Sequence, residues 1–170
     1  MPRSTTEAAR GALAYVGIGA NLGDVRGTLD AAFVALAGLP RSRLCAASSL
    51  YRTAPVNSSG PDYLNAVVAL RTGLTPHALL DALQRIESDH QRQRPYRNAP
   101  RTLDLDLLLY GRRRIHTAAL TVPHPRLHQR AFVLDPLHEL DPRLEIPGRG
   151  AIDGWRDRVA GQAIARLPPC

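Results

Sequence analysis

The chain has 170 residues, 44% of them apolar, and a formal net charge of +7, enough for one domain, 1–170, with a hydrophobic core and an anionic partner. All 22 basic residues are arginine, which excludes a phosphate-loop lysine and Schiff-base chemistry. Two cysteines, Cys45 and Cys170, make no disulfide framework and no metal-ligand spacing, and no signal peptide or membrane-length apolar run is present, so a reduced cytoplasmic protein is expected.

Residues 1–12 lack apolar patterning and are expected to be a poorly ordered extension. Residues 13–19 read as a first strand. Gly17, Gly19 and Gly23 stand one residue too far apart for a dinucleotide fingerprint, and no acidic residue ends a second strand at the expected distance. A tight strand-to-helix turn explains them, and a ligand approaching Gly19 and Asn21 would use the same lack of side chains. Residues 24–37 form an amphipathic helix, capped by Asp24, with Val25, Leu29, Ala32 and Leu36 at helical spacing and Gly38 and Pro40 as its stop.

Residues 42–52 read as a second strand, followed by a loop over 53–62 rich in Pro, Gly, Ser and Asn. Residues 63–72 are a third strand, on which Tyr63 and Asn65 share a face. That pair is either an edge position with a solvated amide or an aromatic platform beside a donor-acceptor amide, suited to a flat heterocycle. Thr75 and Pro76 open a second helix that buries Leu79, Leu83 and Ile86 and places Glu87 near its end. Residues 88–102 are polar and arginine-rich, broken by Pro95 and Pro100, and read as a loop.

That loop feeds the stretch on which the chain turns, Arg101-Thr-Leu-Asp-Leu-Asp-Leu-Leu-Leu-Tyr110. Leu103, Leu105 and Leu107 fall on one parity and Asp104 and Asp106 on the other, the pattern of a half-buried strand. Two carboxylates two strand rises apart, about 7 Å, repel each other unless a divalent cation lies between them. Arg92, Arg94, Arg97 and Arg101 precede them, and arginines facing a carboxylate–metal site suit a polyphosphate. The residues themselves therefore point to Mg²⁺-dependent chemistry on a nucleotide.

Gly111 turns the chain, and 120–124 is a short extended piece. His124 and His128 are four apart, but Pro125 interrupts them and no zinc-protease glutamate accompanies them, so zinc is not expected. Residues 126–140 read as a helix broken by Pro136, with Arg130 and Phe132 near its start. A short helix around 151–159, with Trp155 packing, and an edge strand at 162–167 close the chain.

Together, Gly17-Ile-Gly-Ala-Asn-Leu-Gly23, Ser49-Leu-Tyr-Arg-Thr53, Pro61-Asp-Tyr-Leu-Asn65, Pro100-Arg-Thr-Leu-Asp-Leu-Asp106 and Leu120-Thr-Val-Pro-His124 resemble the serial motifs of the 6-hydroxymethyl-7,8-dihydropterin pyrophosphokinase family. The resemblance implies an α+β ferredoxin-like sandwich, a mainly antiparallel sheet with helices on one face. It implies transfer of a diphosphate from ATP to the pterin alcohol, with two Mg²⁺ ions held by Asp104 and Asp106. Arg92 and Arg94 would act in catalysis. Glu87, Arg97, Arg101, Leu107, Thr121, His124 and Arg130 would serve ATP. Thr53, Ala54, Val56, Asn65 and the rings of Tyr63 and Phe132 would hold the pterin. A monomer with no nucleic-acid or membrane partner is implied. Asn98-Ala99, Ala119 and Pro125 depart from other members and bear on the nucleotide contacts. The rival readings are a ferredoxin-like single-stranded RNA-binding module, which needs exposed aromatics on central strands, where the central strand of this chain offers Asp104 and Asp106 instead, and a metal-dependent phosphohydrolase, which needs a water-activating base.

Overall fold

The computed structural model describes residues 11–21, 23–54, 61–92 and 102–168, apart from the side chains of Arg92 and Thr102. The expectations for residues 1–10, Val56, Arg94, Arg97, Asn98-Ala99, Arg101 and Cys170 lie outside the described residues.

Six strands build the main sheet. β1 (Ala12–Asn21) lies between β4 (Tyr63–Thr72) and β5 (Thr102–Tyr110), antiparallel to both. β2 (Ser42–Ala47) and β3 (Tyr51–Thr53) share the far side of β4, and β10 (Ile164–Arg166) extends β3 at the edge. With α1 (Val25–Ala37) after β1 and α2 (Pro76–Arg92) after β4, this is the βαββαβ order of a ferredoxin-like α+β fold. Two small hairpins, β6 (Ile115–His116) with β7 (Thr121–Val122) and β8 (Glu145–Ile146) with β9 (Gly150–Ala151), flank it.

One face of the sheet is apolar throughout. Val16, Ile18, Ala20, Leu64, Val68, Leu103, Leu105 and Leu107 meet Leu29, Leu36, Leu79 and Leu83 of α1 and α2 in one core. Asp24 starts α1 by accepting a hydrogen bond from the Gly27 N–H, and the Thr75 hydroxyl does the same for Ala78 in α2.

Helices also cover the opposite face, which the expectation of one helical face did not include. There α3 (Ala131–Leu140) and α4 (Ile152–Arg158) enclose a second core of Tyr15, Val67, Ala69, Leu108, Leu134, Leu137 and Ile152. A β-bulge in the β1–β5 pairing turns both Leu108 and Leu109 to this face, so the apolar parity of β5 switches and needs its own cover.

Four further expectations are corrected. The strand over 42–52 is two strands, because the Ser48 hydroxyl accepts the Val67 N–H in place of the backbone ladder. The helix α2 runs on to Arg92, since residues 88–92 contain no Gly or Pro to stop it. The interruption in 126–140 falls at Arg130, between a 3₁₀ turn Leu127–Gln129 and α3, whereas Pro136 sits buried inside α3. The strand bearing Asp104 and Asp106, expected to be central, pairs only with β1 among the described strands. Its outer edge is met by the His124 N–H, which bonds to the Leu108 carbonyl, and by Glu87.

Candidate active site

The second face of the sheet is covered at one end only. At the other end lies a cleft of about 800 Å³ between the strands and the start of α3. The strand register decides what lines it. Asp104 stands opposite Gly19, and Gly19 opposite Asn65; one step along, Asp106 stands opposite Gly17, and Gly17 opposite Val67. Directly paired antiparallel residues point the same way. The two glycines therefore leave a bare floor between a carboxylate wall and an amide wall.

A Cβ on Gly19 would come within 3.0 Å of the Asn65 side-chain oxygen. Asn65 is buried, and its Nδ2 donates to the Thr53 hydroxyl at 2.9 Å, leaving its Oδ1 toward the floor. Asn65 lies on an inner strand, not at a solvated edge. Tyr63 and Ala54 continue this wall, and Phe132 enters from α3. The Arg130 guanidinium sits 5.4 Å from the Phe132 ring centre. Arg130 has extended backbone, φ −127° and ψ 114°, between the 3₁₀ turn and α3, which carries its side chain to the cleft.

The carboxylate wall is electrostatically unfavourable alone. Asp104 remains accessible to solvent, yet the protein around it raises its pKa above the ordinary value, and the Asp106 charge raises it further. His124 lies within the field of Asp106. Burial holds its pKa below the ordinary value, assisted by Arg130 and Arg126 and opposed by Asp106. Its Nδ1 accepts the Arg126 N–H at 3.1 Å, which leaves the proton of the neutral ring on Nε2.

Thr53, Ala54, Tyr63, Asn65, Asp104, Asp106, Arg130 and Phe132 thus line one cleft. Four other described candidates, His124 among them, do not. The Leu107 side chain is buried in the core beneath α1 and α2. Thr121 is half-buried in the β6–β7 hairpin. Glu87 reaches β5 from α2, where its carboxylate accepts the Leu105 N–H. Burial is the main cause that pushes its pKa up to about 7; the Leu105 bond opposes this, and the charges of Asp104 and Asp106 add to it. Arg92 ends α2, which brings the backbone to the described limit of the arginine-rich segment.

The sequence expectations left out Gln162, which also lines the cleft, and the part that Gly17 takes in its floor. The parity of Gly17 with Gly19 on a strand was a usable signal for a bare floor. Gln162 carried no signal, because it is a single polar residue before an edge strand.

With this geometry in hand, the comparisons are informative. A family model described as 7,8-dihydro-6-hydroxymethylpterin-pyrophosphokinase matches residues 15–142. The 2-amino-4-hydroxy-6-hydroxymethyldihydropteridine pyrophosphokinase of Pseudomonas aeruginosa is 43% identical over 155 residues, 91% of this chain and 96% of its own. The protein of the same name from Haemophilus influenzae is 40% identical over 157 residues, 92% of this chain and 98% of its own. Among solved structures, Plasmodium falciparum HPPK-DHPS with pteroate superposes with a TM-score of 0.71 at 12% identity, over 89% of this chain. The match spans only 45% of that longer chain, and the likeness concerns the fold.

Proposed function

The chain belongs to the 7,8-dihydro-6-hydroxymethylpterin-pyrophosphokinase family, and from that premise we propose how its cleft carries out the ATP-dependent transfer of a diphosphate to a dihydropterin in folate biosynthesis. The observation that carries the assignment is the row Asn65–Gly19–Asp104 across the sheet, with Tyr63 continuing the amide wall and Phe132 entering the same cleft from α3. A flat heterocycle fits over the glycines. Tyr63 and Phe132 flank its rings, and Asn65, Thr53 and the backbone around Ala54 read its polar edge. Its hydroxymethyl group then points toward Asp104 and Asp106.

The two aspartates suit Mg²⁺. The protein offers two carboxylates, Asp104 and Asp106, and phosphate oxygens and water would fill the remaining positions. That division is characteristic of Mg²⁺, and a cation would offset both the burial and the Asp106 charge that raise the Asp104 pKa. When bound with ATP, Mg²⁺ supplies charge neutralisation and alignment of the β-phosphorus. Asp104 and Asp106 would hold the Mg²⁺, with two ions expected alongside ATP.

The residues of the chain do the positioning. Arg130 and the Nε2–H of His124 hold phosphate oxygens, and Arg92, Arg94, Arg97 and Arg101 are assigned the same charge-neutralising task by family membership. Glu87, the Leu107 backbone and Thr121 lie on the nucleotide side. The pterin hydroxyl oxygen bonds to the β-phosphorus and releases its proton to solvent as the bond from that phosphorus to the oxygen it shares with the α-phosphate breaks, and AMP leaves with that oxygen. Such a transfer is served mainly by orientation and charge stabilisation.

The reading takes 1–170 as one pyrophosphokinase domain acting as a monomer. Among the described residues no helix is long and apolar enough to cross a membrane. The reading adds no nucleic acid or membrane and places the enzyme with its ATP in the cytoplasm. Purified protein should release AMP from MgATP only when 6-hydroxymethyl-7,8-dihydropterin is present, with a matching pterin diphosphate by mass spectrometry. Release of ADP and phosphate without pterin would assign the cleft to hydrolysis.

A further inference from the structure

Arg130 is held from both sides by a residue that the family match does not reach. That match ends at residue 142, and Gln162 lies in the turn before β10. The Gln162 Oε1 accepts the Ala131 N–H at 2.9 Å, and its Nε2–H donates to the Gln129 carbonyl at 2.9 Å. Those two peptide groups flank Arg130. The Ala131 N–H opens α3, where the first N–H groups have no partner within the helix, and Arg130, the residue in the capping position, makes no side-chain cap. A side-chain amide is the one neutral group that presents a donor and an acceptor side by side.

We propose that Gln162 is a positioning residue for the transfer: its amide clips the junction of the 3₁₀ turn and α3 and so fixes the extended backbone that aims Arg130 into the cleft. The proposal rests on the pyrophosphokinase reading of that cleft. The segment carrying Gln162 is itself anchored on the opposite wall. Ile164 pairs with Thr53, the residue whose hydroxyl receives the Asn65 amide, and the Arg166 guanidinium bonds Glu139 of α3 at 2.7 Å. The C-terminal strand thus ties the amide wall to the arginine wall, with Gln162 as the contact nearest the reacting groups.

The test is a double-mutant cycle on the full chain, read as pterin-dependent AMP release. Gln162→Leu, close in volume but without either hydrogen-bonding group, should lower kcat/KM for MgATP about fivefold, a size set by two hydrogen bonds that are not deeply buried. In an Arg130→Ala background the same change should cost less than about 1.5-fold, because the residue it positions is gone. Gln162→Asn keeps both groups one carbon too short to span the junction and should show the same coupling. Loss of Tm should be equal in the two backgrounds, so a structural role alone leaves the kinetic effect undiminished without Arg130. Equal fold losses in both backgrounds, wild-type kinetics for Gln162→Leu, or an Arg130→Ala variant as active as wild type would each overturn the proposal. A wild-type protein with no pterin-dependent AMP would overturn the pyrophosphokinase reading and the proposal with it, an outcome visible before any variant is made.

Discussion

The two ends of one sheet face are built from the same strands and do opposite things. At one end Tyr15, Ala69 and Leu109 are sealed in the core that Leu134 and Leu137 of α3 close. At the other end the same strands present Gly17, Gly19, Asn65, Asp104 and Asp106 to a cleft. The difference shows how a small domain divides stability from chemistry. The sealed end, with the continuous core on the opposite face, supplies apolar burial. The open end places like charges together and leaves glycines unfilled, both of which oppose stability. Substitutions at the two ends should therefore affect different measurements.

The largest effects should separate most cleanly. Asp106→Asn or Asp104→Asn should lower Mg²⁺-dependent turnover on the order of 10³-fold, the size expected when a metal carboxylate is lost. Thermal midpoints should stay within about 2 °C, since the change leaves the packing intact and removes one of two like charges. Leu137→Ala, at a fully buried position, should do the reverse. It should cost about 3 kcal/mol and lower Tm by roughly 6–12 °C, with KM for both substrates unchanged at temperatures where the variant is folded. An Asp variant that unfolds early, or a Leu137 variant with a changed KM, would mean that the two ends are not independent.

The floor gives a finer contrast. An added Cβ at Gly19 meets the Asn65 oxygen at 3.0 Å, whereas at Gly17 it meets the Leu108 side chain at an ordinary 3.4 Å. Gly19→Ala should shift the amide and raise KM for the pterin about tenfold, while Gly17→Ala should change it less than about threefold. Pterin titrations of the two variants check this. Equal effects would mean that the heterocycle does not lie over the Asn65 row.

The sequence carried much of this division and missed its limits for identifiable reasons. The alternation Leu103-Asp-Leu-Asp-Leu107 separates the core face from the cleft face without any structure, because the strand period is two. Asp24, Thr75 and Pro76 locate helix starts by chemistry that acts within three residues. The bulge at Leu108 was hidden, since three consecutive leucines read alike on either parity, and with it the need for helices on a second face. The split of 42–52 was hidden because it depends on the Ser48 hydroxyl meeting Val67, nineteen residues away. Gln162 was hidden for the same reason: its partners, Gln129 and Ala131, lie more than thirty residues upstream.

The smallest expected effect tests how far the charges of the open end reach through the sheet. Glu87 approaches β5 from the α2 side, yet Asp104 and Asp106 add to the burial that pushes its pKa up to about 7 from 4.5. A carboxyl raised on folding favours the folded state fully below its unfolded pKa, and that contribution is lost as pH rises through the folded value. Metal-free protein should therefore lose stability from Glu87 between about pH 4.5 and 7. Glu87→Gln keeps an acceptor for the Leu105 N–H but does not titrate, so its Tm should match wild type near pH 4.5 and exceed it at pH 8. The group is only half-buried, so solvent screening limits the difference to about 1 kcal/mol, or roughly 2–4 °C. In an Asp104→Asn background the gap should shrink, because one of the two charges raising Glu87 is gone. A gap that persists unchanged would assign the shift to burial alone and confine the repulsion of the aspartates to their own face.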